Sequence, residues 1–243
     1  MDKDRRGFFV AMGSLAGAAI VGFGRPEAPF NERDRERLRE AKGVDSFVHN
    51  AEMLYPNFDQ IPNTHGVTGL EVDVYSLEGI PVIGHSKREV TRIPEDLDEL
   101  EFILGSVDAN GFKINLDLKS NDPKVAEKTS RVLPKGSFIS TPHHNLLDEL
   151  RGSPHTLLYT LNSEEKQREF EIRLENGERF RNSGVSARLD LLDKAKVERY
   201  KKGCGLYVLA YPADNYGIAA GLCDDGVNGI TSNNIEILQL TAA

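Results

Sequence analysis

Short apolar segments rich in β-branched residues recur along this chain, and polar segments with helical periodicity separate them. Such alternation is typical of strands that are each followed by a helix. We predict eight main strands, at residues 46–50, 69–75, 113–119, 137–141, 156–161, 184–189, 206–210 and 226–231. A further short strand, at residues 81–85, is predicted to fold back against the second strand.

Helices are predicted between these strands, at residues 96–105, 122–133, 146–151, 163–176, 192–202 and 215–223. Strands that alternate with helices form parallel sheets with the helices outside. Eight such units close into a barrel of about 250 residues. We therefore predict an α/β chain, a single-domain (β/α)8 TIM barrel without a large inserted subdomain. A doubly wound open sheet is the alternative, although the early glycine-rich phosphate turn typical of that fold is missing.

The second predicted strand, GLEVDVY, carries two acids two positions apart, Glu71 and Asp73. Side chains alternate across a strand, so both acids share one face, while Leu70 and the two valines share the other. The third strand, KINLDLKS, repeats the pattern with Asp117 and Lys119. If helices cover the aliphatic faces, the polar side chains point into the mouth of the barrel, where functional residues lie at the carboxyl ends of strands.

Two histidines are placed to join this polar group. His49 ends the first strand, and His85 ends the short strand that folds back against the second. Unperturbed imidazoles titrate near neutral pH, which suits proton transfer in both directions. We therefore predict acid/base or nucleophilic catalysis by these two side chains.

Three carboxylates without a thiolate favour a hard divalent cation, Mg²⁺ or Ca²⁺. Adjacent carboxylates repel each other unless a proton or a cation lies between them. We predict that Glu71, Asp73 and Asp117 bind one such ion. Beside the ion, the Lys119 ammonium is placed to hold a phosphate oxygen.

The charge balance argues against a nucleic-acid partner. The 243 residues include 30 Lys and Arg against 38 Asp and Glu, for a net charge of −8, and no Lys/Arg-dense stretch stands out. The two cysteines, Cys204 and Cys223, could pair in an oxidising compartment or remain free thiols.

The amino terminus carries Arg5 and Arg6 ahead of an apolar, Gly/Ala-rich run that is short for a membrane span. We predict that residues 1–30 are a twin-arginine-like export signal and linker, and that residues 44–240 are the barrel domain. An uncleaved membrane anchor is the alternative. The export reading predicts an extracytoplasmic protein, either secreted, periplasmic or at the cell surface.

The ordered segments FVHN, GLEVDVY, PVIGHS, INLDLK and GVNGITSNN resemble the glycerophosphodiester phosphodiesterases, a superfamily of PLC-like phosphodiesterase TIM barrels. Asp117 with Lys119 is similar to the sphingomyelinase D-like phospholipases, and GFKINLDLKS is similar to the menorin family. His49 is followed by Asn50 and not by the Arg-Gly pair typical of bacterial glycerophosphodiesterases. The resemblance implies a catalytic pair, His49 and His85, three metal ligands, Glu71, Asp73 and Asp117, and a phosphate contact, Lys119.

These observations together predict an exported, metal-dependent phosphodiesterase. Its substrate would be a glycerophosphodiester or a phospholipid headgroup ester, and a lipid substrate would bring the mouth to a membrane surface. The alternative is a non-catalytic extracellular binding module of the menorin type on the same barrel. A barrel glycosidase is disfavoured, because Glu71 and Asp73 on one strand face are too close to flank a glycosidic bond.

Overall fold

Eight parallel strands form a closed ring, because the first strand pairs with both the last and the second. The computed structural model describes residues 31–49, 51, 67–93, 97–109 and 111–241. Its strands are β1 (Asp45–Val48), β2 (Gly69–Leu77), β3 (Ile80–Gly84), β4 (Val90–Arg92), β5 (Lys113–Leu118), β6 (Phe138–Thr141), β7 (Thr156–Leu161), β8 (Ser183–Arg188), β9 (Tyr207–Tyr211) and β10 (Gly229–Ser232). Strands β3 and β4 extend β2 as an antiparallel hairpin, and the other eight form the ring. The predicted TIM barrel is confirmed, and the open-sheet alternative is wrong.

The helices described are α1 (Glu32–Glu40), α2 (Leu97–Ala109), α3 (Pro123–Val132), α4 (His144–Glu149), α5 (Glu164–Glu175), α6 (Lys194–Glu198), α7 (Tyr216–Asp225) and α8 (Ile235–Thr241). Side-chain caps fix where several of them begin. The Asp122 carboxylate accepts from the backbone N–H groups of Lys124 and Val125, and Asn215 caps α7 in the same way. Within the described ranges, the helices are too short or too polar to cross a bilayer.

The alternation predicted for the strands separates two layers. The aliphatic side chains of β2 and β5 are buried in the large core between barrel and helices. A second cluster, Phe47, Phe138, Leu158 and Leu209, packs separately from that core. The Phe47 and Phe138 rings meet edge to face, with centroids 5.6 Å apart. Nearer their carboxyl ends the barrel strands carry polar residues, and these are available there for binding or catalysis.

Several elements differ from the sequence-based expectation. The three-residue strand β4 and helix α8 were not predicted, although the Asn234 side chain caps α8 by accepting from the Glu236 N–H. The predicted helix at 192–202 divides into α6 and a π-helical turn, Arg199–Gly203. Helix α1 packs against α7 and α8, with Leu38 fully buried. The predicted export segment at 1–30 lies outside the described residues. The two cysteines, Cys204 and Cys223, are free thiols.

The junction between β1 and β2, here called the seam, is short. Among the described residues, two pairs are aligned there, Phe47 with Gly69 and Val48 with Leu70, and the Thr68 N–H donates to the Ser46 carbonyl. By contrast, β2 and β5 are aligned from Gly69 with Lys113 onward over six pairs. A Cβ atom on Gly69 would lie 2.5 Å from the Phe47 ring. Glycine at this position therefore lets the ring close against the strand.

Candidate active site

The register of β2 and β5 brings the predicted acids together. Glu71 is paired with Asn115, and Asp73 with Asp117, so the four polar side chains form two successive rows. Glu71, Asp73 and Asp117 are 5%, 0% and 9% exposed. One carboxylate oxygen from each lies within 4.8 Å of the other two. The i, i+2 alternation therefore predicted a real cluster.

Lys119 lies against this cluster. Its Nζ is 3.1 Å from Asp73 Oδ1, and it also donates to Asp117 Oδ2. Burial lowers the pKa of Lys119, but Asp117, Asp73 and Glu71 outweigh that effect and raise it. Burial raises the pKa of Asp117, and the Lys119 charge opposes that rise only in part. Three carboxylates thus face a single lysine, so negative charge outweighs positive charge in the cluster.

The donor set suits a hard divalent cation. Three buried carboxylates at this separation offer only oxygen ligands, which Mg²⁺ and Ca²⁺ prefer. An added cation would also relieve the excess negative charge. The residues present therefore fit the predicted metal site, without indicating which of the two ions is bound.

His49 lies at the carboxyl end of β1, where its backbone N–H donates to the Ser232 carbonyl at 3.0 Å. Its Nε2 is 3.5 Å from Glu71 Oε1. Its Nδ1 donates to Asn233 Oδ1 at 3.3 Å. Burial is the main cause that lowers the pKa of His49.

Two residues that the sequence analysis did not single out, Asn233 and Asp214, support His49. Asn233 Nδ2 donates to Asp214 Oδ2 at 3.0 Å, which leaves the Asn233 carbonyl oxygen for the imidazole. Asp214 Oδ1 accepts from the Asn233 backbone N–H and from Ser232 Oγ. This arrangement selects the His49 tautomer that carries its proton on Nδ1, so Nε2 keeps its lone pair. Both residues follow barrel strands at the carboxyl end, a position that could have identified them.

His85 reaches the cluster from the hairpin. It follows β3, and its Nδ1 donates to Asp73 Oδ2 at 2.7 Å. The side chain is 54% exposed, so its other nitrogen is accessible to solvent. The hydrogen bond to Asp73 raises the pKa of His85, and burial partly opposes that rise. All six predicted site residues, His49, Glu71, Asp73, His85, Asp117 and Lys119, therefore meet at one end of the barrel.

A cavity of ≈ 340 Å³ opens at this mouth. His49 and His85 line it together with Glu71, Asp117 and Lys119, and Tyr211 and Ser186 contribute to its wall. Burial, followed by the charges of Asp117 and Glu71, raises the pKa of Tyr211 and keeps its phenol protonated. The wall therefore offers neutral hydroxyl groups beside the charged cluster.

Three other polar residues that lie at or just after strand ends, His144, Arg188 and Asp190, have structural contacts. His144 is buried beside Tyr159 and donates to the Thr160 carbonyl. Arg188 and Asp190 pair with each other at the surface. These contacts provide no support for a substrate role.

Comparisons with known proteins show what the fold resembles. No protein family and no curated protein matches the sequence. Among solved structures, an Oleispira antarctica phosphodiesterase in complex with the product sn-glycerol-3-phosphate is 16% identical, with a TM-score of 0.63 over 84% of this chain and 99% of that one. A Thermotoga maritima glycerophosphodiester phosphodiesterase is 19% identical, with a TM-score of 0.60 over 80% and 96%. The chain therefore shares its barrel fold with these phosphodiesterase structures, in agreement with the fold predicted from its motifs.

Proposed function

We propose that this protein is a metal-dependent phosphoric diester hydrolase that acts on a glycerophosphodiester or a phospholipid headgroup ester. The observation that carries the proposal is a cluster of three buried carboxylates, two of which, Glu71 and Asp117, line one cavity with both histidines. Solved phosphodiesterases with the same barrel support it, and one of them holds sn-glycerol-3-phosphate as its product.

Glu71, Asp73 and Asp117 would hold one divalent ion, Mg²⁺ or Ca²⁺. When bound, such an ion supplies positive charge that neutralises a phosphate oxygen. Lys119 contributes a second positive charge from the same side of the cavity, fixed in place by Asp73 and Asp117. The protein thus concentrates positive charge where a pentavalent phosphorus would develop negative charge.

The two histidines divide the proton transfers. His49 presents the Nε2 lone pair, because its Nδ1–H is engaged by Asn233. It either attacks phosphorus or takes the proton of an attacking hydroxyl. His85 donates through Nδ1 to Asp73, which raises its pKa and favours the imidazolium, so Nε2 also carries a proton. That proton passes to the leaving oxygen as the P–O bond breaks.

The test is turnover by the full chain with Mg²⁺ or Ca²⁺, and with EDTA, on glycerophosphocholine, lysophosphatidylcholine and bis(4-nitrophenyl) phosphate. We expect metal-dependent cleavage of at least one of them. His49→Ala and His85→Ala should each lower kcat by about 10²- to 10⁴-fold while the circular dichroism spectrum is unchanged. Lys119→Met should also impair turnover, and Lys87→Met on the exposed hairpin is its matched control. No cleavage with either ion refutes the proposal.

A non-catalytic binding module is not favoured, because such a module has no need for two imidazoles aimed at one carboxylate cluster.

We further propose that the protein is exported through residues 1–30. The test is a reporter fused to this segment, compared with the Arg5→Lys, Arg6→Lys variant. Loss of export in the variant is the expected result, and equal export refutes the twin-arginine reading.

A further inference from the structure

A second cavity, here called the basal pocket, lies at the opposite end of the barrel, where β7 and β8 begin. Its volume is ≈ 400 Å³. The loops that precede the two strands form it. Its lining residues are Arg151, Gly152, Ser153, His155, Leu157, Arg179, Phe180, Arg181, Asn182 and Ser183. This lining contains three arginines and a histidine but no carboxylate.

The three arginines differ in their partners. Arg151 is neutralised, since its Nη2 donates to Asp148 at 2.8 Å and also to Glu178. Arg179 and Arg181 are exposed, and neither forms an ion pair with any residue in the described ranges. The basal pocket therefore carries two positive charges that the fold itself does not balance.

A buried histidine lines the same pocket. His155 is 1% exposed, and its Nε2 donates to the Ser130 carbonyl at 2.9 Å. Its Nδ1 is buried and has no hydrogen-bond partner within the described part of the chain, and the same is true of Ser153 Oγ. Buried polar atoms are rarely left unpaired, because the desolvation cost of each is about 1–3 kcal/mol. Both residues line the basal pocket, and their unpaired polar atoms point to a polar ligand there.

The pocket is also held in shape without a ligand. Asn182 Nδ2 donates to the His155 carbonyl at 2.7 Å, and Thr156 Oγ1 donates to Asn182 Oδ1. These bonds tie the loop before β8 to the start of β7. The pocket walls are thus fixed before anything binds, which lowers the entropic cost of binding.

We propose that the basal pocket binds a phosphate-type oxyanion. Arg179 and Arg181 supply charge-assisted donors, for which a phosphate oxygen is a preferred acceptor. Ser153 Oγ donates to another phosphate oxygen, and His155 Nδ1 bonds to the protonated oxygen of the phosphate. The cavity has room for an organic group beside the phosphate. The pocket is separate from the mouth, so this proposal does not depend on the proposed activity.

The test uses the metal-free full chain with ¹⁵N-labelled histidine, titrated with inorganic phosphate. We expect a saturable shift of the His155 imidazole resonances. His49 and His85 report phosphate at the mouth in the same spectra, so failure here is distinguishable from failure of the proposed activity. The Arg179→Gln, Arg181→Gln variant should raise the Kd read at His155 by about tenfold or more. Arg168→Gln with Lys194→Gln removes the same charge from exposed positions on α5 and α6, and should change that Kd by less than about twofold.

Two further measurements complete the test. His155→Gln keeps a donor for the Ser130 carbonyl but removes Nδ1, so phosphate binding measured by calorimetry should weaken. If the His155→Gln variant does not fold, the arginine variants decide the question. Cosedimentation with phosphatidic acid vesicles that depends on the two arginines identifies a lipid headgroup as the source, and its absence alongside a saturable His155 shift identifies a free phosphate compound. The proposal is overturned if neither the vesicle cosedimentation nor the saturable His155 shift is seen, or if the arginine double variant keeps the wild-type Kd.

Discussion

The support of His49 by Asn233 and Asp214 leads to a specific prediction for Asp214→Asn. An asparagine at 214 can still accept from Ser232 Oγ and the Asn233 backbone N–H through its carbonyl oxygen. Its amide nitrogen then takes the place of Oδ2 and faces Asn233 Nδ2, donor against donor. Asn233 must rotate its amide, which turns its NH₂ group toward His49 Nδ1. The imidazole is then held with its proton on Nε2, the nitrogen that needs a lone pair.

The size of the effect follows from the bond that is lost. To return His49 to the tautomer with its proton on Nδ1, the variant must leave the amide NH₂ groups of residues 214 and 233 facing each other. This costs about 1–3 kcal/mol. Asp214 is exposed, so water relieves part of this cost, and we take about 1–2 kcal/mol. The corresponding fall in kcat is about 5- to 30-fold, with little change in KM.

The assay compares kcat and KM for the wild type, Asp214→Asn and the exchanged pair Asp214→Asn, Asn233→Asp. In the exchanged pair, the carboxylate at 233 accepts from both His49 Nδ1 and the new amide, so kcat should recover. Nitrogen NMR of His49 reads the tautomer directly, without any activity. An unchanged kcat in the single variant, or no shift of the proton to Nε2, would falsify the account of Asn233 as a positioning residue.

Three other predictions concern stability. Mg²⁺ or Ca²⁺ at about 100 times its Kd should raise the free energy of unfolding by about 2.7 kcal/mol. Differential scanning calorimetry should then show a rise in Tm of about 5–10 °C, and Asp117→Asn should remove that rise. The Arg173 guanidinium, opposed in part by burial, lowers the pKa of Glu178 to about 2, so Glu178→Gln should lose about 1–2 kcal/mol at pH 6 in urea unfolding. A lowered folded-state pKa contributes its full stabilisation above the ordinary value of 4.5 and loses it as pH falls toward 2. The difference in stability between variant and wild type should therefore narrow over this interval, and a constant difference contradicts this. Gly184→Ala would place a Cβ 2.2 Å from a backbone oxygen of the neighbouring strand and should cost about 1–3 kcal/mol, whereas Gly221→Ala in α7 meets no atom within 4 Å and should gain about 0.5–1 kcal/mol.

The carboxylate cluster was predictable because its signal is local. Alternation within one strand places Glu71 with Asp73, and a repeat of the same pattern places Asp117 on the same side of the sheet. His49 and His85 were predictable because each ends an apolar strand. Barrel closure then brings these ends together, so a pattern of period two in separate segments was enough to predict the mouth.

The contacts that the sequence did not predict depend on closure at longer range. Asp214 and Asn233 lie in different loops, and their role follows from the way these loops meet beside His49. Lys119 was predicted as a phosphate contact, but its tie to Asp73 and Asp117 is set by distances that alternation does not specify. The basal pocket was missed because the unpaired state of His155 Nδ1 and of the two arginines is a property of packing, which no motif records.

The seam between β1 and β2 bears directly on function, because His49 lies on one side of it and Glu71 on the other. Two residue pairs and the packing of Phe47 over Gly69 hold these sides together. The distance between the imidazole and Glu71 depends on this junction staying closed, whereas the His49 backbone is held to β10 by Ser232. Amide exchange at Thr68, whose N–H donates across the seam to the Ser46 carbonyl, would thus report how often the two halves of the reactive group come apart.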